Sequence, residues 1–127
     1  MPENVYEYAV IRLVPRVERG EFINVGVVLY CPGSAFLDMR YMLDPVRIRA
    51  VCRDETDIPG LEEYLKAHRG ICLGTATQSP IATLPMQERF RWLAATRSTV
   101  IQLSPVHIGY CRDPETTLRH LMQQQVE

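Results

Sequence analysis

The stretch that decides the fold is VGVVLYC at residues 25–31, followed after a short turn by FLDMRYML at residues 36–43. The first segment is a nearly uninterrupted apolar run, which is typical of a central strand covered on both faces. The second has the period-two alternation of a strand, and the Pro-Gly-Ser sequence at 32–34 supplies turn chemistry between them. The stretch therefore predicts a β-hairpin, in which Gly26 indicates a bulge or a close backbone approach.

Working outward, residues 6–14 (YEYAVIRLV) predict a strand whose two faces are both at least partly covered. Pro15 ends this strand because proline cannot donate a ladder hydrogen bond. The charged stretch at 16–24 then predicts a loop or protruding turn before the central strand begins. A further β-branched and apolar segment, TVIQL at 99–103, predicts another strand.

Proline and capping residues place the helices. Four helical segments are expected: one from Asp44-Pro45 through VRIRAVCR, one from Asp57 or Pro59 to Gly70, one around Met86 to Ala94, and one after Asp113-Pro114. Residues 74–85 predict a loop with at most short pieces of structure. The expected fold is α+β: a single domain over residues 1–127, with an antiparallel or mixed sheet of about four strands and helices packed mainly on one face.

Composition excludes several classes of protein. With 127 residues, 46% apolar and 23% charged, the chain has the size and make-up of one globular domain. No apolar run is long enough to span a bilayer and the first residues lack the pattern of a secretion signal, so we expect no membrane association and a cytoplasmic location. The net charge of −1 makes nucleic-acid binding unlikely without a local basic patch. The thirteen arginines against one lysine fit a GC-rich genome better than a phosphate site.

Cysteine and histidine spacing gives no metal motif. The four cysteines are widely separated and form no CxxC pair, so free and largely buried thiols are expected. A zinc site built from them with a histidine is the sharper but less favoured alternative. We therefore predict no metal and no cofactor.

Two polar stretches contain the candidate ligand-binding residues. The first gathers Arg16, Arg19, Glu21 and Asn24 around Gly20, just ahead of the central strand. Arginine side chains there could hold a phosphate or carboxylate through paired hydrogen bonds. The plainer alternative, which we favour, is a solvated hairpin whose mixed charges fix the register of the strands.

The second stretch surrounds the strand at 99–103. It contributes Arg97, Ser98, Ser104 and His107, which could join the first stretch if the two strands are neighbours. A serine near a histidine suggests a nucleophile and base, but the spacing is not diagnostic and no GxSxG elbow is present. A hydrogen-bonded structural histidine is the favoured interpretation.

The chain also resembles a known family. The segments YEYAVIRLVPRVERGEFINVGVVLY and RFRWLAATRSTVIQLSPVHIGYCRDPETTL are similar to those of the bacterial family catalogued as domain of unknown function 3037 (DUF3037). That resemblance implies a small protein often encoded near kinase-like proteins similar to the toxin kinases of toxin-antitoxin pairs, and no reaction. The family-typical positions present here are Arg16, Gly20, Glu21, Asn24, Gly26, Arg97, Ser98, Ser104, Pro105 and His107.

Two functional hypotheses follow, and the sequence leaves open whether any reaction is catalysed. The first is a non-enzymatic accessory or interaction protein, whose polar loop and exposed sheet edge bind a protein partner such as the kinase-like neighbour. The second is a small anion- or nucleotide-binding enzyme, in which Arg16, Arg19 and Arg97 bind the anion and either His107 or Glu21 transfers a proton. The oligomeric state is not indicated.

Overall fold

A computed structural model describes residues 3–15, 21–52, 56–75, 79–95 and 100–127 of the chain. It confirms the α+β class, with helices packed around one antiparallel sheet. The strands and helices are β1 (Asn4–Leu13), β2 (Ile23–Cys31), β3 (Phe36–Tyr41), α1 (Pro45–Cys52), α2 (Ile58–Leu73), α3 (Met86–Ala94), β4 (Ile101–Leu103), β5 (His107–Cys111) and α4 (Pro114–Gln125). Short 3-10 turns lie at Pro32–Ser34 and Pro80–Thr83.

The sheet is built on the expected hairpin, with strand order β3-β2-β1-β4, and β5 also pairs with β1. Strand β1 is long enough to carry two partners on the same side. Strand β4 pairs with Ile11–Leu13 at its far end, and β5 pairs with Asn4–Tyr8 at its near end. The two short strands together therefore flank β1 like one interrupted strand.

The predicted bulge lies beside Gly26. The register of β1 and β2 shifts between Ile11 and Arg12, which pair with Gly26 and Asn24 and leave Val25 as the extra residue. A Cβ atom added to Gly26 would lie 2.5 Å from the carbonyl oxygen of Arg40 on β3. The glycine is therefore required by close backbone approach on the central strand.

Helices cover both faces of the sheet, and most of them lie on one face as expected. The larger core joins Ile11 and Val28 to the apolar sides of α1, α2 and α3. The smaller core joins Val27 and Leu29 to α4, through residues such as Leu118. Alternation along β1 and β2 explains this division, since successive side chains point to opposite faces.

Two sequence expectations need correction or addition. Helix α2 does not end at Gly70; it continues to Leu73 and ends at Gly74, whose φ of 71° is left-handed. The Thr75 N–H then donates to the Gly70 carbonyl and the Gly74 N–H to the Ile71 carbonyl, which completes the usual glycine cap. The addition is β5, since the sequence analysis predicted no strand at 107–111.

Candidate functional site

The two polar stretches singled out in the sequence attach to neighbouring strands at the same end of the sheet. Leu13, near the end of β1, pairs with Ile23 on one side and with Ile101 on the other. The Val14 N–H donates to the Val100 carbonyl at 2.6 Å, which extends this junction by one residue. Four of the candidate ligand residues lie outside the described part of the chain: Arg16, Arg19, Arg97 and Ser98.

Asn24 fastens the sheet to the end of the last helix. Its Nδ2 donates to the carbonyl of Gln125 at 2.9 Å, and Arg47 from α1 donates to the next carbonyl, that of Val126. These are the C-terminal carbonyls that a helix cannot satisfy internally. Asn24 therefore has a structural role in docking α4, whereas Glu21 lies exposed just before β2.

Arg12 is a residue at this end of the sheet that sequence reasoning missed. It faces Asn24 across the strand pair, and its guanidinium lies 4.2 Å from the centre of the Phe22 ring, within the range of a cation–π interaction. Its Nε atom and the Asn24 Oδ1 are buried and have no hydrogen-bond partner in the described part of the chain. An arginine within the apolar segment from Ala9 to Leu13 was the available signal.

Ser104 and His107 lie farther along the sheet. The buried Ser104 hydroxyl accepts a hydrogen bond from the Val10 N–H at 2.8 Å and donates to the Pro105 carbonyl at 2.9 Å. It thereby satisfies the backbone of β1 where β4 ends. His107 lies opposite Tyr8 with ring centres 5.2 Å apart. Since Tyr8 precedes Arg12 by four residues, His107 is about 13 Å from the Arg12 position along the strand.

The space between the sheet and α2 is narrow. A cleft there is lined by Ile11, Leu65, His68 and Leu93, and its interior of about 20 Å³ holds about one water molecule. His68 stacks between Tyr64 and Trp92, with ring centres 4.1 and 5.6 Å away. This aromatic stack closes the cleft as part of the core.

Strand β5 exposes the most unusual apolar surface in the described part of the chain. Ile108 is 68% exposed and Tyr110 is 69% exposed, and both point to the face that α2 and α3 cover elsewhere. Val5, which pairs with Tyr110, and Val106, which precedes the strand, are also exposed on this face. We call these four residues the β5 patch. On this face of the described sheet, the core shared with the helices includes Ala9, Ile11 and Leu13 of β1.

The backbone of β5 is open on its outer side, since it pairs with β1 alone among the described strands. The opposite edge strand, β3, carries charged side chains that form ion pairs. Asp38 on β3 is nearly buried and pairs with Arg69 at 3.0 Å, and Arg40 pairs with Glu115. Charges of this kind block pairing with another strand. From Ser104 to Cys111 the chain carries no formal charge with histidine neutral.

The cysteines offer no reactive thiol or disulfide to the site. All four cysteines are free thiols, and burial raises the pKa of Cys72 to about 12, with a further contribution from Asp38. A thiol with so high a pKa is a poor nucleophile at neutral pH. Among the described residues, no three side chains of the metal-binding types come together as ligands, and no helix is long and apolar enough to cross a membrane.

Comparison with known proteins decides the family. A model described as "Protein of unknown function (DUF3037)" matches residues 8–126. The chain belongs to the DUF3037 family. Searches of curated proteins and of solved structures found no match. In this DUF3037 chain, three described positions that the sequence resemblance implied as typical of the family serve the fold: Gly26, Asn24 and Ser104.

Proposed function

We propose that this DUF3037 protein is a non-enzymatic interaction module that binds another protein chain at the outer edge of β5. The single observation that carries the proposal is the β5 patch on an uncharged edge strand, which pairs with β1 alone among the described strands. Monomeric proteins usually protect such edges with charge, proline or covering segments. An edge that keeps two large apolar side chains about two-thirds exposed is therefore best explained by a partner that covers it.

Strand addition is the mode of binding that this geometry supports. A partner segment in extended conformation would pair its backbone with β5, and alternate side chains would pack on Ile108 and Tyr110. Backbone hydrogen bonds supply affinity in this mode, whereas side-chain contacts supply specificity. The rigidity of β5 favours binding, because its pairing with five residues of β1 orders the strand in advance.

The kinase-like protein that the family resemblance implies as a genetic neighbour is the proposed partner. An accessory or regulatory role requires surface recognition and no chemistry. The exposed edge and the narrow cleft beneath α2 are both consistent with that role.

The test is affinity purification of the tagged protein from the organism that encodes it. We expect the kinase-like product to co-purify with the unaltered chain, and Ile108→Lys to reduce its recovery at least tenfold, because a buried charge opposes strand addition. Val46→Lys is the matched control, since Val46 is 77% exposed on α1 and lies outside β5. Equal recovery with both variants, or no co-purification at all, would contradict this partner assignment.

Anion binding at the end of the sheet is a second candidate. It is supported by the junction of Val14 with Val100, from which the two arginine-bearing stretches depart, and by the Arg12 side chain at the same end. In the enzyme form of this candidate, Arg16, Arg19 and Arg97 would bind the anion, and His107 or Glu21 would transfer a proton. Chemical-shift titration with inorganic phosphate tests it: Arg12→Ala should weaken binding at least tenfold, and Arg119→Ala on α4 should not.

A further inference from the structure

We propose that the chain occupying β5 is a second copy of this protein, joined by antiparallel pairing of the two β5 strands about a two-fold axis at Gly109. The inference rests on the proposed function and names the occupant of that edge when the kinase-like partner is not bound. The sheets of the two copies would then be continuous, and the kinase-like partner would displace the second copy from this edge. A two-fold interface uses the same patch on both copies, so the patch must complement itself.

The side chains of β5 meet that requirement. With Gly109 on the axis, Ile108 of each copy lies opposite Tyr110 of the other, on the same face of the joined sheet. Aromatic residues opposite β-branched residues are among the stabilising cross-strand pairs. Gly109 of one copy would lie opposite Gly109 of the other, and neither has a side chain that could clash. On the other face, a Cβ at Gly109 would lie 2.6 Å from the Tyr6 ring, so Tyr6 already covers the glycine there.

The charges near the strand are also compatible with a two-fold axis. A charged residue close to the axis would lie near the same residue of the other copy, and the two like charges would repel each other. Residues 104–111 carry no formal charge with histidine neutral. The charged residues nearest to β5 on this face include the positive Arg112 and the negative Glu7. Arg112 is 72% exposed by its side chain and contacts Glu3 only loosely, at 3.8 Å.

Glu7 provides the complementary charge. It pairs with Ile108 and takes part in no ion pair among the described residues. In the dimer, Arg112 of the second copy would lie opposite Val106, one step along the same face from the row that holds Glu7 and Ile108. The long arginine stem can cover apolar surface while its head approaches the carboxylate.

The size of the contact sets its strength. Five-residue strands that pair edge to edge cover less surface than the roughly 1,600 Å² of a standard stable interface. The dimer should therefore dissociate on dilution. Sedimentation velocity from about 5 to about 500 µM should reveal an average mass that rises from one chain toward two, as for a micromolar equilibrium.

Two variants and a mixture test the pairing. Ile108→Lys and Tyr110→Glu should each weaken self-association at least tenfold, and Val46→Lys should not. The mixture of Ile108→Lys with Tyr110→Glu should associate again. In the mixed dimer the introduced lysine lies opposite the introduced glutamate, and the remaining Tyr110 lies opposite the remaining Ile108. Unchanged circular dichroism and melting temperatures establish that the variants are folded.

The outcomes separate this inference from the proposed function. A wild-type chain that stays monomeric up to about 500 µM, a dimer that tolerates both β5 substitutions, or a mixture that fails to associate would each overturn the two-fold pairing. If the wild type is monomeric but still captures the kinase-like product in a manner that depends on Ile108, the proposed function stands and only the second copy is excluded. If β5 substitutions affect neither association nor capture, both fail.

Discussion

At Gly26 the backbones of β2 and β3 come so close that no side chain fits between them. The nearest obstacle to an added Cβ is the backbone carbonyl of Arg40, which cannot rotate away as a side chain would. The bulge beside Gly26 sets the register of the central strand pair. The hairpin on which the fold depends therefore requires glycine at position 26, because a methyl group there would collide with the neighbouring strand.

Gly26→Ala should therefore lower the free energy of unfolding by about 1–3 kcal/mol, because the methyl group forces the two strands apart. Urea denaturation followed by circular dichroism measures this change. Gly33→Ala is the control: the three atoms nearest to its added Cβ all belong to the Asn4 side chain, which can move. An equal loss in both variants would contradict the explanation by close backbone approach.

Cys72 gives the molecule a pH dependence on the alkaline side. Burial raises its pKa from 9.0 to about 12, so the folded chain keeps the thiol proton where the unfolded chain loses it. The stabilisation that comes from the protonated Cys72 thiol is fully present below pH 9 and is lost as the pH rises toward 12. The maximum slope for one group is about 1.4 kcal/mol per pH unit.

Urea denaturation between pH 8.5 and pH 10.5 tests the Cys72 assignment. We expect the unfolding free energy of wild type to fall with pH in this window and that of Cys72→Ala to fall less steeply. Cys52→Ala is the control, because the Cys52 thiol is only partly buried whereas that of Cys72 is buried. Parallel slopes for wild type and Cys72→Ala would rule out the assignment.

The polar residues of the sequence were identified more readily than their roles. Asn24 and Ser104 were candidates for ligand binding, and each forms hydrogen bonds that hold backbone in place. A side-chain amide or hydroxyl can bind a ligand or replace a backbone partner equally well, and only the neighbouring strand decides between them. Arg12 was overlooked because the alternation along β1 predicts which face of the strand it lies on but not which residues surround it.

Among the elements, α2 shows how one helix end depends on another helix. Its last carbonyls, those of Ile71 and Cys72, accept hydrogen bonds from Arg89 Nη1 of α3 at 3.2 and 3.3 Å. Arg89 is buried, and its guanidinium lies where a side chain on Gly74 would project. A cation at a helix C-terminus also opposes the negative end of the helix dipole.

Arg89→Met should lower the unfolding free energy by about 1–3 kcal/mol, as expected for the loss of charged hydrogen bonds to buried carbonyls. Arg91→Met on the exposed side of the same helix should change it by less than about 0.5 kcal/mol. Hydrogen exchange should quicken around residues 71–75 in the first variant alone. Equal effects of the two substitutions would contradict the capping role.

The hairpin, β1 and the four helices followed from local patterns, whereas β5 did not. Val106, Ile108 and Tyr110 have strand periodicity, but Ser104 and Pro105 read as the end of the preceding strand. What makes β5 a strand is the open half of β1, since β4 pairs with only three of its residues. Such long-range pairing is not encoded in local propensity. The extension of α2 past Gly70 was missed because two glycines could serve as its cap.

At the scale of the whole molecule, the two edges of the sheet differ. The β3 edge carries the buried Asp38 with its partner Arg69, and α2 and α4 both pack near it. The β5 edge carries exposed apolar side chains, an unpaired backbone in the described part of the chain and no charge. Only the second edge is suited to receive another strand, so the interaction proposed here has a defined position on the fold.

The most direct test of this account is amide hydrogen exchange at residues 107–111, measured as the protein concentration rises. In an edge strand, alternate amides bond inward to β1 and the others point outward. If another chain pairs with β5, the outward amides should exchange quickly in dilute protein and gain at least tenfold protection at high concentration or with the bound partner. Outward amides that stay equally fast under all these conditions would contradict it.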